Sequence, residues 1–334
     1  MRVPLRLTTK LAAYIMGQHI KGIERYPVVA MLEPLHTCNL SCIGCTPDRW
    51  AGKKEDWLSV EQCLEAMDEC GAPIVSICGG EPLVYPELDR LTQGLIRRGR
   101  FVIICTNALL MSRVLPKLPS SPNLSFAVHI DGLAKTHDHI TKSPGCFRKA
   151  VDAIKMLQDR GIRATTNTTV FAESDLDEMI ELFRYLKEDV KVDALLVAPG
   201  YDFDQTNDET IFLKRQQVNE RFQKIFERCP KHWFGNSTLY LEFLEGYADL
   251  TCTAWGNPVL TPNGWQGPCY MLRDGYHQTY RELLDRTDWS KYGPESGDPR
   301  CKKCMMHCGF EPTVATGRGI PMWTQLRNAV TSIA

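Results

Sequence analysis

The sequence predicts an α/β fold built on parallel strands, followed by a small cysteine-rich C-terminal module. From Val28 onward, short β-branched or apolar runs alternate with amphipathic segments, which is the pattern of βα units. After Tyr240 that periodicity stops, while aromatic, glycine and cysteine content rises. The length of 334 residues, 43% of them hydrophobic, is enough to bury one large α/β core with an appendage. The expected division is an N-terminal helix at 1–27, a βα core at 28–235 and the module at 236–334.

The N-terminal segment, Arg2 to Lys21, places Arg2, Arg6 and Lys10 on one helical stripe. Leu7, Leu11 and Ile15 form another, with Tyr14 beside it. Two readings stay open: a basic amphipathic helix lying on an anionic bilayer, or an apolar stripe that covers one end of the core. Six strands follow, at Val28 to Leu35, Ile74 to Cys78, Phe101 to Cys105, Ser125 to Ile130, Arg163 to Val170 and Asp193 to Ala198. Ser59-Val-Glu-Gln62 is a capping box opening a helix through Cys70. Phe147, Ala150, Val151, Ile154 and Leu157 recur at helical spacing and Gly161 stops that helix. From Gln205 to Cys229 a polar helical stretch reads as a solvated face.

Composition excludes several classes. A net charge of −1, with 24% charged residues, marks neither a nucleic-acid binder nor a disordered tail. Fourteen cysteines without a cleavable signal segment point to reduced, metal-binding thiols in a cytoplasmic protein, or one peripheral on the inner face of a membrane. No run approaches the roughly 18 apolar residues of a membrane span.

The chemistry gathers around Cys38, Cys42 and Cys45. Their C-x3-C-x2-C spacing can hold three irons of a [4Fe–4S] cube and leave the fourth open. A zinc knuckle completed by His36 is the alternative. In Ile74-Val-Ser-Ile-Cys-Gly79-Gly80-Glu81-Pro82, the glycines let backbone approach a ligand closely. In parallel barrels reactive groups lie at the C-terminal strand ends, and there the chain carries Cys105-Thr106-Asn107, His129-Ile130-Asp131 and Ala198-Pro199-Gly200, with Asn167 on the fifth strand. His129 and Asp131 could equally be a hydrogen-bonded pair without ligand contact. In the module, Cys252, Cys269, Cys301, Cys304 and Cys308 supply four donors and a spare, suited to zinc or to simple packing. Cys63, Cys70, Cys78, Cys146 and Cys229 read as packing thiols.

The cysteine spacing followed by Gly79-Gly80-Glu81-Pro82 resembles the signature of the radical S-adenosylmethionine (SAM) superfamily. The resemblance implies a partial (β/α)6 TIM-like barrel. It also implies a SAM site in which Gly79, Gly80, Glu81 and Pro82 hold the methionine amino group and His129 and Asp131 reach the ribose, with Asn107 and Asn167 in the same binding set. Many members carry an aromatic residue before the third cysteine, where this chain has Gly44, so adenine contacts fall to Ile43 or Trp50. The module resembles twitch and SPASM appendages, which implies a second [4Fe–4S] cluster on Cys252, Cys269, Cys301 and Cys304, with Cys308 spare.

Further stretches, Tyr26–Pro34, Leu58–Ala66, Cys105–Leu110, Trp255–Pro258, Gly264–Gln266 and Cys301–Gly309, resemble the adenosylhopane synthase family of hopanoid biosynthesis. Thr46-Pro-Asp-Arg-Trp50 does not match it. That likeness implies addition of a 5′-deoxyadenosyl radical to the terminal alkene of a hopene-type triterpene, with Cys105 returning a hydrogen atom to the adduct. The implied partners are a hydrophobic polycyclic alkene, a one-electron donor such as flavodoxin or ferredoxin, and a membrane surface from which the N-terminal helix collects the lipid. A SPASM/twitch-type enzyme abstracting hydrogen from another substrate is the alternative, and a non-catalytic iron–sulfur or zinc protein a third.

Overall fold

The computed structural model describes residues 5–45, 56–201 and 209–333. Its strands β1 (Val29–Leu32), β2 (Ile74–Ile77), β3 (Phe101–Thr106), β4 (Leu124–His129), β5 (Arg163–Val170) and β6 (Ala194–Pro199) pair parallel with their chain neighbours. All six lie where the apolar runs predicted them, within a few residues at the ends.

Helices connect them. They are α1 (Leu5–Ile20), α2 (Val60–Cys70), α3 (Leu88–Arg97), the single turn α4 (Met111–Val114), α5 (Ala134–Thr141), α6 (Cys146–Asp159), α7 (Leu176–Arg184) and α8 (Arg215–Arg228). The capping box of α2 forms as its sequence requires. The Gln62 N–H donates to Ser59 Oγ at 3.2 Å and the Ser59 N–H to Gln62 Oε1 at 2.8 Å, while Gly71, at φ 73°, closes the far end.

Strand alternation separates two environments. Val75, Ile77, Val102, Ile104, Phe126, Val128 and Ala164 are buried in the layer shared with the helices. The opposite face looks into the barrel. There the register ties Met31 to Ser76, Ser76 to Ile103, Cys105 to Ala127, His129 to Asn167 and Asn167 to Leu196. Ile103, Cys105, Ser125, His129, Asn167 and Leu196 stay only half-buried although they face inward. A closed barrel fills this space with side chains; here the inward-facing side chains at the strand ends stay partly exposed.

The sheet outlasts the βα periodicity. Beyond α9 (Thr238–Leu244), β7 (Val259–Thr261) pairs parallel with β1, and β8 (Gly264–Pro268) and β9 (Arg273–His277) continue antiparallel, completing a nine-stranded sheet. The module thereby covers the β1 edge, which would otherwise present unpaired backbone groups. Its remaining helices are α10 (Tyr280–Arg286), α11 (Pro299–Lys303), α12 (His307–Thr316) and α13 (Met322–Ile333).

Helix α1 lies at the N-terminal ends of the strands, away from the motifs. Tyr14 Oη donates to the Pro27 carbonyl at 2.9 Å, and the Lys10 ammonium bonds the Gly99 carbonyl and sits 5.6 Å over the Phe101 ring. Lys10 is therefore turned onto the base of the barrel, where Leu7, Leu11 and Ile15 are half-buried. This contact is of the kind the packing reading expects, while Leu5, Met16 and Ile20 of the same helix stay exposed. Arg2 lies outside the described residues. Among the described residues no helix is long and apolar enough to cross a membrane.

Candidate active site

The loop after β1 carries Cys38, Cys42 and Cys45, each half-buried. Its backbone is held from both sides: the Ile43 N–H donates to the Ile140 carbonyl of α5 at 2.8 Å, and Trp57 Nε1 donates to Thr37 Oγ1 at 3.1 Å. Burial, then Cys45 and Cys38, push the Cys42 thiol well up, so the three sulfurs lie within electrostatic reach of one another. Three such thiols become thiolates readily only against a cation, and that donor chemistry suits an iron–sulfur cube with one iron open. Among the described residues no three Cys, His, Asp or Glu donors converge on a single ion; a cube, whose thiolates bind different irons, does not require it.

Gly79 and Gly80 have a reason beyond ligand access. A Cβ on Gly80 would stand 2.0 Å from the Thr37 carbonyl oxygen, and one on Gly79 2.5 Å from the Leu35 carbonyl oxygen. Instead the Gly80 N–H donates to Leu35 at 3.0 Å and the Glu81 N–H to Thr37 at 2.9 Å. The two motifs, some forty residues apart, are laced backbone to backbone, and only glycine permits that approach.

The Glu81 carboxylate is buried and fully engaged. One oxygen accepts from Thr106 Oγ1 at 2.5 Å and the Leu83 N–H at 2.9 Å, the other from the Asn107 N–H at 2.8 Å. Burial raises its pKa against those hydrogen bonds. Its side chain therefore sets the end of β3, leaving the Gly79–Pro82 backbone as the part able to face a ligand. Asn107 in turn donates from Nδ2 to Asn39 Oδ1 at 2.8 Å, tying the β3 end to the cysteine loop.

At the end of β4, His129 Nε2 lies 2.5 Å from Asp131 Oδ2. Asp131 Oδ1 accepts the Thr169 N–H at 2.7 Å, and the Asp131 N–H donates to His137 Nδ1 at 3.1 Å. Burial works against charge on His129, but Asp131 and Glu81 outweigh it and hold its pKa above the ordinary range. His137, fully buried, goes the other way, down to about 4, chiefly through desolvation and then the neighbouring His129. With both Asp131 oxygens used, the imidazole of His129 is the member of the pair left at the lumen.

Cys105 faces the lumen beside Ala127 and shares a 3.4 Å hydrogen bond with Ser76 Oγ. Burial raises its pKa, so it keeps its S–H bond. Around it lie Met31, Cys78, Val259 and Tyr270, an apolar, sulfur-rich wall to which the C-terminal module contributes the last two.

The module's own thiols share one neighbourhood. Burial and then Cys269 and Cys301 push Cys304 up to about 12; Cys269 rises to about 11, and Cys252 and Cys308 rise further. A Cβ on Gly309 would stand 2.7 Å from Cys252 Sγ, and the Met306 N–H donates to Cys304 Sγ at 3.5 Å. Cys269, Cys304 and Cys308 border one apolar group, and Cys252 Sγ lies against Gly309 next to it. Backbone donors aimed at sulfur are what a thiolate-held cluster uses.

Reasoning from sequence gave Ser76, Thr106 and Tyr270 no role of their own, and it missed Thr169 and Phe171. Phe171 lies directly after β5, where the strand-end rule would have found it. Its ring would come 3.0 Å from a Cβ on Gly44 and, through another carbon, 3.0 Å from one on Gly200, and it packs on Phe212 at 6.1 Å. Gly44 thus leaves room that Phe171 fills. Trp50, with the rest of Thr46–Trp50, lies outside the described residues.

Residues 32–186 match the family described as "Radical SAM superfamily", and residues 195–327 a domain of unknown function, DUF3463. The AdoMet-dependent heme synthase of Methanosarcina barkeri is 30% identical over 156 residues, covering 45% of this chain and 44% of that protein. The antilisterial bacteriocin subtilosin biosynthesis protein AlbA of Bacillus subtilis is 22% identical over 302 residues, 85% of this chain and 66% of that protein. The chain spans about half the length of the first curated relatives it matches, from 44% to 66%. Among solved structures, anSMEcpe with bound AdoMet and the Cp18Cys peptide superposes with a TM-score of 0.59 at 17% identity, over 92% of this chain and 100% of that one. Streptococcus suis SuiB bound to the precursor peptide SuiA does so at 0.60 and 18%, over 76% and 62%. These superpositions speak to the fold.

Proposed function

Because its barrel belongs to the radical SAM superfamily, we propose that this chain joins a 5′-deoxyadenosyl radical to the terminal alkene of a hopene-type triterpene. The superfamily's [4Fe–4S] cluster and SAM, when bound, supply that radical. Cys38, Cys42 and Cys45 would hold the cluster. The Gly79–Pro82 backbone would face the methionine end of SAM, and His129, oriented by Asp131, together with Asn107 and Asn167 would line the nucleoside side.

What this chain adds is the lumen. The single observation carrying the reading is Cys105, an S–H donor directed inward by strand register and surrounded by Met31, Cys78, Val259 and Tyr270. An apolar wall suits a polycyclic alkene and excludes water from a carbon radical. Addition of the radical to the terminal CH2 forms a C–C bond and leaves a tertiary carbon radical. A hydrogen atom from Cys105 completes the product, and one electron from the external donor with one proton from water restores the thiol. A second cluster on Cys252, Cys269, Cys301 and Cys304, with Cys308 over, belongs to the same reading.

The test is reconstituted, reduced enzyme incubated anaerobically with SAM and a hopene. The expected product carries the adenosyl carbons, and Cys105→Ala still cleaves SAM and forms the C–C bond but loses the normal hydrogenation and stereochemistry. Wild-type product at the wild-type rate from Cys105→Ala would return Cys105 to packing. The second reading, hydrogen abstraction by a SPASM/twitch-type enzyme, draws on the likeness to AlbA and to the heme synthases. It predicts free 5′-deoxyadenosine and no adenosylated product.

A further inference from the structure

By composition Cys78 is one more small packing thiol. By register it is the cross-strand neighbour of Cys105. Ser76 on β2 pairs with Ile103 on β3 and Ile77 with Ile104, so the next step along the two parallel strands sets Cys78 beside Cys105. Side chains two apart on a strand share a face. Cys78 therefore lies on the lumen face with Ser76, and Cys105 with Ile103.

The contacts agree with the register. Cys105 Sγ and Ser76 Oγ are 3.4 Å apart, and Cys78 Sγ donates to the Ser76 carbonyl at 3.7 Å, so both sulfurs lie against one serine. Cys78 packs with Met31 and Val259 in the group that Cys105 borders. Neighbouring strands run about 4.8 Å apart, inside the window of about 4.4–6.8 Å between Cα atoms across which two cysteines can be joined. The backbone at Cys78 is fixed: its N–H donates to the Leu32 carbonyl at 2.9 Å, and Gly79 and Gly80 follow against Leu35 and Thr37. Exposure separates the two thiols, since Cys105 is half-buried at the lumen whereas Cys78 is 8% exposed.

This second thiol answers a difficulty in the proposed reaction, and the inference rests on the reading of Cys105 as its hydrogen donor. A thiyl radical left on Cys105 stands against the C–H bond it has just made and can take the hydrogen back. We infer that Cys78 passes a hydrogen atom to Cys105, so that the radical moves to the sulfur screened from the lumen. The step breaks the S–H bond of Cys78 and makes the S–H bond of Cys105. One hydrogen atom moves, and no electron, proton or oxidant enters. Like bonds are exchanged, so the energy change is small, and fixed proximity supplies the rate. The external electron and the proton from water that close the cycle are then taken up at Cys78, with Cys105 already recharged.

Two measurements on the reconstituted full-length enzyme test this. Diamide, which oxidises neighbouring thiols to disulfides, should give a Cys78–Cys105 crosslink in peptide mass maps. Cys105 joined to another cysteine, or to none, overturns the pairing. With SAM, a hopene and a reductant, Cys78→Ala and Cys78→Ser should each release about one adenosylated product per site and then turn over about tenfold or more slowly than in that first cycle, while the wild type keeps its initial rate. Freeze-quenched samples of both variants should hold a sulfur-centred radical whose EPR signal narrows when cysteine is deuterated at Cβ. Serine keeps the size of cysteine, but its O–H bond is too strong to yield a hydrogen atom to sulfur. A defect in the alanine variant that serine repairs would therefore mean packing and overturn the inference, as would turnover at the first-cycle rate in both variants. Wild-type enzyme that cleaves SAM but forms no adenosylated product overturns the functional reading instead, and the mass map tells that outcome from unpaired thiols.

Discussion

Cys105 and Cys304 are both half-buried thiols raised by burial, but they are held in different ways. Cys105 hangs from a strand whose register with β2 and β4 sets its direction, so its aim is a property of the sheet. Cys304 caps the five-residue α11, and its surroundings are built from Cys252, Cys269 and Cys308, which come from separate segments. The first arrangement orients one reactive group on a rigid element. The second collects several equivalent groups from loops and can tolerate small shifts in each, as suits a site that binds a cluster more than one that aims an atom.

Removing the thiols proposed to bind metal gives the largest expected effect and separates the two regions outright. Alanine at Cys38, Cys42 or Cys45 should abolish SAM cleavage. The triple variant should keep about four of roughly eight irons if the module holds its own cube. Iron and zinc analysis of that variant checks this: zinc, or no metal, would make the module purely structural.

Glycine substitutions sharpen the comparison next. Gly80→Ala drives a methyl into the Thr37 carbonyl, backbone against backbone, and should cost about 3 kcal/mol or more and unseat the cysteine loop. Gly309→Ala meets the Cys252 sulfur instead. It should lower metal content at the module while sparing the first site. Thermal unfolding with iron counting reads both, and equal metal loss from both sites in either variant would contradict the separation.

A pH effect of similar size belongs to the barrel. His137, lowered to about 4, resists a proton that the unfolded chain accepts near 6.5, so stability should fall as pH drops from about 6.5 towards 4, by about 3 kcal/mol. His129, raised above its ordinary range, has the opposite sign: its contribution is complete below about 6.5 and fades as pH rises through its folded value. His137→Gln should flatten the acid limb in denaturant titrations, and an unchanged acid limb would remove His137 as its cause. The smallest effect should come from Arg300→Gln in the module. Its pairs with Asp274 and Asp298 are partly exposed and should be worth about 1 kcal/mol at most.

Much of this was legible in the sequence. The six strands, the α2 capping box and the chemistry-bearing strand ends follow from local pattern, because period-2 alternation, caps and spacing are short-range properties. Cys38, Cys42 and Cys45 stand out by spacing alone, because all three lie on one loop. Tertiary structure decided what depends on register and on segments far apart in the chain. It turned the Glu81 carboxylate inward to Thr106 and Asn107, spent Asp131 on His129 and Thr169, and laid Phe171 over Gly44. It also put Lys10 on the base of the barrel and joined β7 to β1 where periodicity had ended. A side chain's identity is written in the sequence, but its partner is chosen by packing, which sums many weak contacts between residues that no spacing rule connects.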